Sequence, residues 1–270
     1  MAPNIRLAAM SLNWNHPSGA DFEPWLQEVK AAGYDGISGF AHFSLEPYLE
    51  RPGELKAMLD GSGLGLASVD VTLRTNPATG QPDPDYYVQV CEFMAAVGCP
   101  NLVYIDPKGG PKAYRELGQW LNRLGEISRP YGIRTLYHNH TRGIGESFRD
   151  LERVYAETDP GLVSMMLDLG HATKDFAELP AGERAVAFLE KYWDKIKFME
   201  FKDWNERTDL NTPLGEGYCR YDTVFRLIRE RGYEGWILVE QNGNDGLSLG
   251  RSPLECAAIS RAFVRRGLGV

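Results

Sequence analysis

Two of the chain's five histidines flank a single asparagine in Leu136-Tyr137-His138-Asn139-His140, and a third closes Leu167-Asp168-Leu169-Gly170-His171. Two carboxylates end later apolar runs, Glu200 in Phe198-Met199-Glu200 and Glu240 in Leu238-Val239-Glu240. Imidazole nitrogen and carboxylate oxygen are donors that divalent cations accept together. Side chains alternate along a strand, so inward positions recur every second residue. On that rule His138 shares a face with Leu136, Asp168 with Met166, Glu200 with Phe198, and Glu240 with Leu238. Each metal-capable group then takes the last inward position of its strand. Three carboxylates gathered without a cation would repel and raise one another's pKa. A single divalent metal removes the conflict, so His138, Asp168, Glu200 and Glu240 are the expected ligands. Mn2+ is the first expectation, with Mg2+, Co2+ or Zn2+ as alternatives that donor softness does not separate. Taken singly, Asp168 also suits a loop cap and Glu200 an ion pair with Lys202. The four groups together point to the metal.

Strands must bring these ends together, and the chain reads as their repeat. Short apolar runs fall near residues 6–11, 35–39, 64–71, 101–106, 133–138, 163–168, 196–201 and 235–240. Amphipathic stretches lie between them, among them Asp21–Ala32 and a last one near Pro253–Arg265. Asp21 is the expected N-cap of its helix, Pro24 fits the first turn, and Gly33 fits the stop. Glycine also precedes later strands, as Gly98, Gly132 and Gly232. Strand and helix alternating at about thirty residues per unit imply a parallel sheet built of βα units. Eight units in 270 residues favour one closed (β/α)8 TIM barrel over an open sheet, as a single domain spanning 1–270. No nucleotide-binding glycine motif follows the first strand. The longer irregular stretches, Arg74–Pro84, Asp106–Lys112 and Trp204–Arg220, all follow strands, on the face where such barrels build their sites. Trp14, Phe40 and Trp204 are aromatics expected on mouth loops of that face, and Trp14 is the best placed to form a substrate wall.

Composition narrows the partners. Hydrophobic residues make up 43% of the chain and the formal net charge is −8, with no Lys/Arg run, so a nucleic-acid partner held by bulk charge is not expected. No window approaches about eighteen apolar residues, so no membrane span is expected. The N-terminus does not read as a signal peptide. The four cysteines form no C-x-x-C pair and read as buried thiols of a cytoplasmic protein.

The strand-end motifs resemble the xylose-isomerase-like TIM barrels, which include sugar isomerases, keto-sugar epimerases, inosose dehydratase and endonuclease IV. Tyr137-His138-Asn139-His140 is similar to a motif of putative sugar isomerases in that family, and Leu167-Asp168-Leu169-Gly170-His171 to its D-x-G-H. Phe201-Lys202-Asp203 matches half of its H-x-K-D, and Leu214-Gly215-Glu216-Gly217 with Gly232–Gln241 its final βα unit. Carried over by position, the resemblance implies the same four ligands. Two positions depart from the family: His138 stands where epimerases place a catalytic Glu, and Glu200 where most members have His. Ser38 also ends the second strand where many members have Glu. The first departure leans towards the inosose dehydratase branch, as does the strand end Ser11-Leu12-Asn13-Trp14. Endonuclease IV needs more histidines and a basic groove, which this chain lacks.

The implied chemistry is proton transfer beside a carbonyl on a small carbohydrate or cyclitol. Glu240 is the expected base, His171 the acid or a partner of Asp168, and Lys202 a contact to substrate oxygen. His140, Trp14 and Arg207 are expected substrate contacts, and Glu146 is a weaker one. Reprotonation would make the protein an isomerase or epimerase, the first expectation. Loss of a β-hydroxyl would make it a dehydratase, and a binding protein without turnover is the third possibility. The family resemblance also implies a possible homo-oligomer.

Overall fold

Chain order gives strands β1 Ile5–Met10, β2 Gly36–Phe40, β3 Gly65–Val71, β4 Asn101–Tyr104, β5 Arg134–Tyr137, β6 Val163–Asp168 and β7 Ile196–Phe201. A hairpin of β8 Asp203–Asn205 and β9 Asp209–Thr212 comes next, followed by β10 Gly235–Val239. In the computed structural model, which describes residues 4–106, 113–242 and 250–269, the eight long strands close in the order β1-β10-β7-β6-β5-β4-β3-β2. All eight pairings are parallel. The chain is the expected (β/α)8 barrel. Helices α1 Phe22–Ala31, α2 Pro52–Ser62, α3 Pro84–Val97, α4 Tyr114–Ser128, α5 Phe148–Ala156, α6 Leu169–Asp175, α7 Ala181–Tyr192, α8 Tyr221–Arg231 and α9 Pro253–Leu268 follow the strands. Gly33, Gly98, Gly132 and Gly232 take φ between 70 and 87°, the left-handed conformation that lets the chain leave a helical turn for the next strand.

Alternation divides the core in two. Leu7, Ala9, Val69, Val71, Leu102, Tyr104, Leu167, Met199, Phe201 and Val239 pack outward under the helices. Ala8, Met10, Ala67, Val103, Leu136, Met166, Phe198 and Leu238 fill the barrel. Burying a side chain such as Met166 or Phe198 contributes about 1.5–3 kcal/mol. The interior series then turns polar at the C-terminal ends of the strands, and that change of character makes the site.

The structure departs from sequence expectation in three places. Asp21 makes no side-chain cap, because it closes a tight 3-10 turn, Gly19–Asp21, and is itself αR. The Trp204–Arg220 stretch is partly ordered as the β8–β9 hairpin. There Asn205 Oδ1 accepts from the Arg207 and Thr208 N–H groups, each at 2.9 Å, and Asp209 takes φ 49° to complete the turn. The strand expected at 101–106 ends at Tyr104. The rest of the Asp106–Lys112 loop, from residue 107 on, lies outside the described residues. No helix among the described residues is long and apolar enough to cross a membrane, and all four cysteines are buried free thiols.

Candidate metal centre

His138 continues β5 by one residue, its N–H donating to Tyr104 O at 3.0 Å, and Glu240 continues β10 by donating to Phe201 O at 3.0 Å. Asp168 ends β6 in register with Glu200 of β7, which in turn pairs with Leu238. Each of the four side chains is therefore the next inward position after an interior apolar residue. His138 Nε2 lies 3.2 Å from Glu200 Oε2 and 3.5 Å from Asp168 Oδ2. His171, in the first turn of α6, brings its Nε2 to 3.9 Å from the same Asp168 oxygen. One donor atom each from His138, Asp168 and His171 lies within 4.8 Å of the other two. Asp168 Oδ2, His171 Nε2 and Glu200 Oε1 are buried without a hydrogen-bond partner. Each such atom costs about 1–3 kcal/mol unless something satisfies it. A divalent cation held by His138, Asp168, His171 and Glu200 would satisfy all three, so the donor set fits a metal.

Glu240 is placed differently from the other three carried-over ligands. Its Oε1 is in direct contact with the Lys202 ammonium. Lys202 Nζ also lies 4.0 Å from both Asp168 Oδ2 and Glu200 Oε1. It is the single buried Lys or Arg among the described residues. Burial alone would push its pKa down, but Glu240, Asp168 and Glu200 hold it above the usual lysine range. Burial also pushes the His138 imidazole down, and Glu200 and Asp168 outweigh it, holding His138 well above its usual range. Without a metal the site thus places positive charge on His138 and Lys202 between the carboxylates. Burial raises Asp168, but His171, His138 and Lys202 hold it well below the usual carboxylate range. Burial, the nearby Glu240 and Asp168 raise Glu200.

The next layer of contacts orients these groups. Asn139 mimics a strand residue towards β6, since its Nδ2 donates to Asp168 O at 3.0 Å and its Oδ1 accepts from Asp168 N at 2.9 Å. Asp168 Oδ1 in turn caps α6 by accepting from His171 N at 2.8 Å, which leaves Oδ2 for the site. The Thr141 hydroxyl donates to Asp175 Oδ2 at 2.7 Å and lies 2.9 Å from His171 Nδ1. Thr141 N–H donates to the same nitrogen at 3.2 Å. His171 Nε2 is the ring nitrogen that faces Asp168 Oδ2, and burial pushes the pKa of this ring well below the usual range. His140 Nδ1 must donate to Thr141 O at 2.8 Å, because a carbonyl can only accept. Burial, with His138 and Lys202 nearby, lowers His140 to about 4, leaving a neutral ring whose Nε2 can accept a substrate hydroxyl.

The sequence profile of the xylose isomerase-like TIM barrels matches residues 26–265. The chain belongs to that family. It is 26% identical to an inosose dehydratase of Clostridium beijerinckii over 98% of both chains. Its fold is similar to that of a D-allulose 3-epimerase from Methylomonas sp., with TM-score 0.75 and 16% identity over 99% of this chain and 100% of the other. It is also similar to the IOLI protein crystallised with a zinc atom, with TM-score 0.71 and 17% identity over 98% of each chain.

In this xylose isomerase-like barrel the motif residues beyond the donors have physical reasons. Asp203 Oδ1 accepts from Trp204 N at 2.9 Å and Cys219 N at 3.1 Å, and its Oδ2 from Gly215 N at 2.9 Å and Gly217 N at 3.1 Å. One carboxylate thus gathers the whole loop after β7. A Cβ on Gly217 would stand 2.1 Å from Asp203 Oδ1, and one on Gly170 would stand 2.7 Å from Lys202 Cβ. Gly170 is what lets α6 pack against the lysine. Asp203→Ala leaves four N–H groups without their acceptor. It is expected to lower stability by about 2–5 kcal/mol, read as a reduced midpoint in urea unfolding.

The remaining sequence candidates are dispersed. Trp14 ends a 3-10 turn, Ser11–Trp14, and donates its indole N–H to Glu28 of α1 at 2.7 Å, so the ring is committed to the helix layer. Arg207 is exposed at the tip of the β8–β9 hairpin. Trp204 donates to Asp209 within that hairpin at 2.9 Å. Glu146 is half-buried on the loop after β5. Phe40 lies at the barrel interior as expected of a mouth aromatic. The sequence reading did not single out Asp70 or His16 for the mouth, nor Thr141 and Asp175 behind His171. Asp70 was detectable by alternation with Ser68. A cavity of about 430 Å3 around Arg6, Arg134, Phe198 and Trp236 opens at the opposite, N-terminal end of the strands. In such barrels that end serves stability.

Proposed function

We propose that this protein is a divalent-metal-dependent dehydratase that removes water from a keto-cyclitol or keto-sugar. The curated relatives named inosose dehydratase, which match this chain along its length, support that substrate class. The observation that carries the reaction type is the contact between Glu240 and Lys202. It sets a proton acceptor against a proton donor at one wall of the mouth. An epimerase would instead need a second base facing Glu240, and His138, at the usual position for one, is turned onto Glu200 and Asp168.

A metal bound by His138, Asp168, His171 and Glu200, with Mn2+ the first candidate, would supply Lewis-acid polarisation of the substrate carbonyl. Glu240 takes the proton from the carbon beside that carbonyl. The electron pair of the broken C–H bond forms the new double bond and expels the β-hydroxyl. Lys202 gives that oxygen a proton, so it leaves as water. The proton on Glu240 then passes to the neutral lysine amine and restores the pair. His140 Nε2 accepts a ring hydroxyl and fixes the substrate's rotation. Burial of Glu240 and Lys202 keeps bulk water from competing for the protons.

The test is incubation of Mn2+-loaded protein with 2-keto-myo-inositol in D2O. Loss of water with a rising enone absorbance is expected. Deuterium incorporated beside the carbonyl without loss of water would assign an isomerase or epimerase instead. Absence of exchange and of water loss, with metal bound and keto-sugars also tried, would leave a binding protein.

A further inference from the structure

Asp70 is a buried carboxylate that the proton transfers above leave unused. It lies on β3 at 2% exposure, between Val69 and Val71, which both pack outward. Its register partners are Phe40 on β2 and Val103 on β4, and both belong to the barrel interior. Alternation therefore aims Asp70 into the barrel. In the barrel order β3 is separated from β10 by β1 and β2 on one side and by four strands on the other, which sets Asp70 across the mouth from Glu240. Among the described residues its hydrogen bonding amounts to one long contact, 3.5 Å from Ser68 Oγ, and that hydroxyl is already engaged with Ser38 Oγ. No salt bridge reaches it there. Burial pushes its pKa up to about 7, with His138 opposing and Glu240 reinforcing the shift. A buried carboxylate this poorly supplied with donors is unfavourable unless a ligand brings them.

The surroundings of Asp70 suit a polyol. Its neighbour Phe40 meets the His16 ring edge-on at 5.3 Å, and His16 stacks on Phe43 at 4.7 Å. Ser11 Oγ holds His16 Nδ1 at 3.1 Å. Asn15 and His16 both take left-handed φ, 59° and 57°, a strained pair of the kind that persists where a ligand is held. Phe43 is 47% exposed. These rings offer flat apolar faces beside one buried carboxyl group.

We propose that Asp70 accepts hydroxyl hydrogen bonds from the far side of the substrate ring, with Phe40, Phe43 and His16 against its C–H face, and that this wall selects an unphosphorylated polyol. The selection follows from charge. A phosphate on this wall would face Asp70, away from the metal donor group, and Lys202, the single buried Lys or Arg among the described residues, is already taken by carboxylates. The proposal rests on the carbohydrate or cyclitol part of the function above and not on which reaction follows.

Calorimetric titration of Mn2+-loaded protein at pH 8, where Asp70 is ionised, with myo-inositol, which has no carbonyl and is not turned over, separates the two. Wild type is expected to bind myo-inositol and to bind myo-inositol 1-phosphate at least about 10-fold more weakly. Asp70→Ala should weaken myo-inositol binding about 10- to 100-fold, the range for a hydrogen bond to a charged group. Asp70→Asn keeps the shape and is expected to hold the metal content of wild type and to melt no lower, because it removes a buried charge. Equal affinity in wild type and both variants would overturn the proposal, as would no myo-inositol binding by wild type or tighter binding of the phosphate. Loss of one metal equivalent in Asp70→Asn would make Asp70 a ligand and also overturn it. Failure of the dehydratase proposal reads separately, as no water loss from 2-keto-myo-inositol while Asp70-dependent binding persists.

Discussion

Glu240→Gln is expected to slow water loss from 2-keto-myo-inositol by about 10²- to 10⁴-fold, the usual share of a positioned general base, with one metal still bound per chain. The glutamine keeps the shape of the side chain and can still meet the Lys202 ammonium through its carbonyl. What it cannot do is take a proton. Because Glu240 is engaged with Lys202, while His138, Asp168, His171 and Glu200 form the donor group, chemistry and metal retention should separate in this variant. Single-turnover measurement of deuterium exchange, with metal content determined on the same sample, reads both quantities. A variant that loses its metal along with its activity would make Glu240 a ligand, as position within the family implies.

The second large effect concerns the lysine. Lys202 is 2% exposed and balances Asp168, Glu200 and Glu240. Removing one partner of a buried ionic group leaves the other charges uncompensated and costs about 3–5 kcal/mol. Lys202→Met, which fills similar volume without the charge, should therefore lower the stability of chelator-treated protein by about that amount. It should also abolish water loss, since the departing hydroxyl then has no proton source beside Glu240. Because the folded pKa of Lys202 is raised above the usual lysine range, its stabilising contribution is fully present at neutral pH and fades only in strongly alkaline solution. Urea unfolding of wild type and variant at pH 7 measures it. A variant as stable as wild type would mean that the carboxylates are not charged together in the metal-free protein.

Period-two patterning makes the barrel legible in the sequence. It also located Asp168 and Glu200, since each follows an interior apolar residue by two positions at or one residue before the end of its strand. The same rule was sufficient for Asp70, which follows Ser68 on β3, but no motif pointed at that strand. Where strands end, alternation ends with them. Trp14 lies in a 3-10 turn past β1, and its ring goes to Glu28 rather than to a face that could be extrapolated from Met10. The association of Glu240 with Lys202 joins residues 38 positions apart on adjoining strands, and no local signal encodes it. His171 could be read as acid, partner or ligand from its motif, and only its Nε2 direction towards Asp168 Oδ2 brings it into the donor group. The β8–β9 hairpin was encoded in Asn205 and Asp209, whose turn chemistry is weak beside a long polar loop.

The most direct test is a titration of chelator-treated protein with Mn2+, followed by metal analysis and thermal unfolding. One divalent ion per chain is expected, with stabilisation of about 2.7 kcal/mol when free metal stands about 100-fold above its Kd, and with loss of both effects in His138→Ala and Asp168→Asn. Protein that retains no divalent ion and gains no stability from Mn2+, Zn2+, Co2+ or Mg2+ would contradict the metal centre, and with it the proposed chemistry.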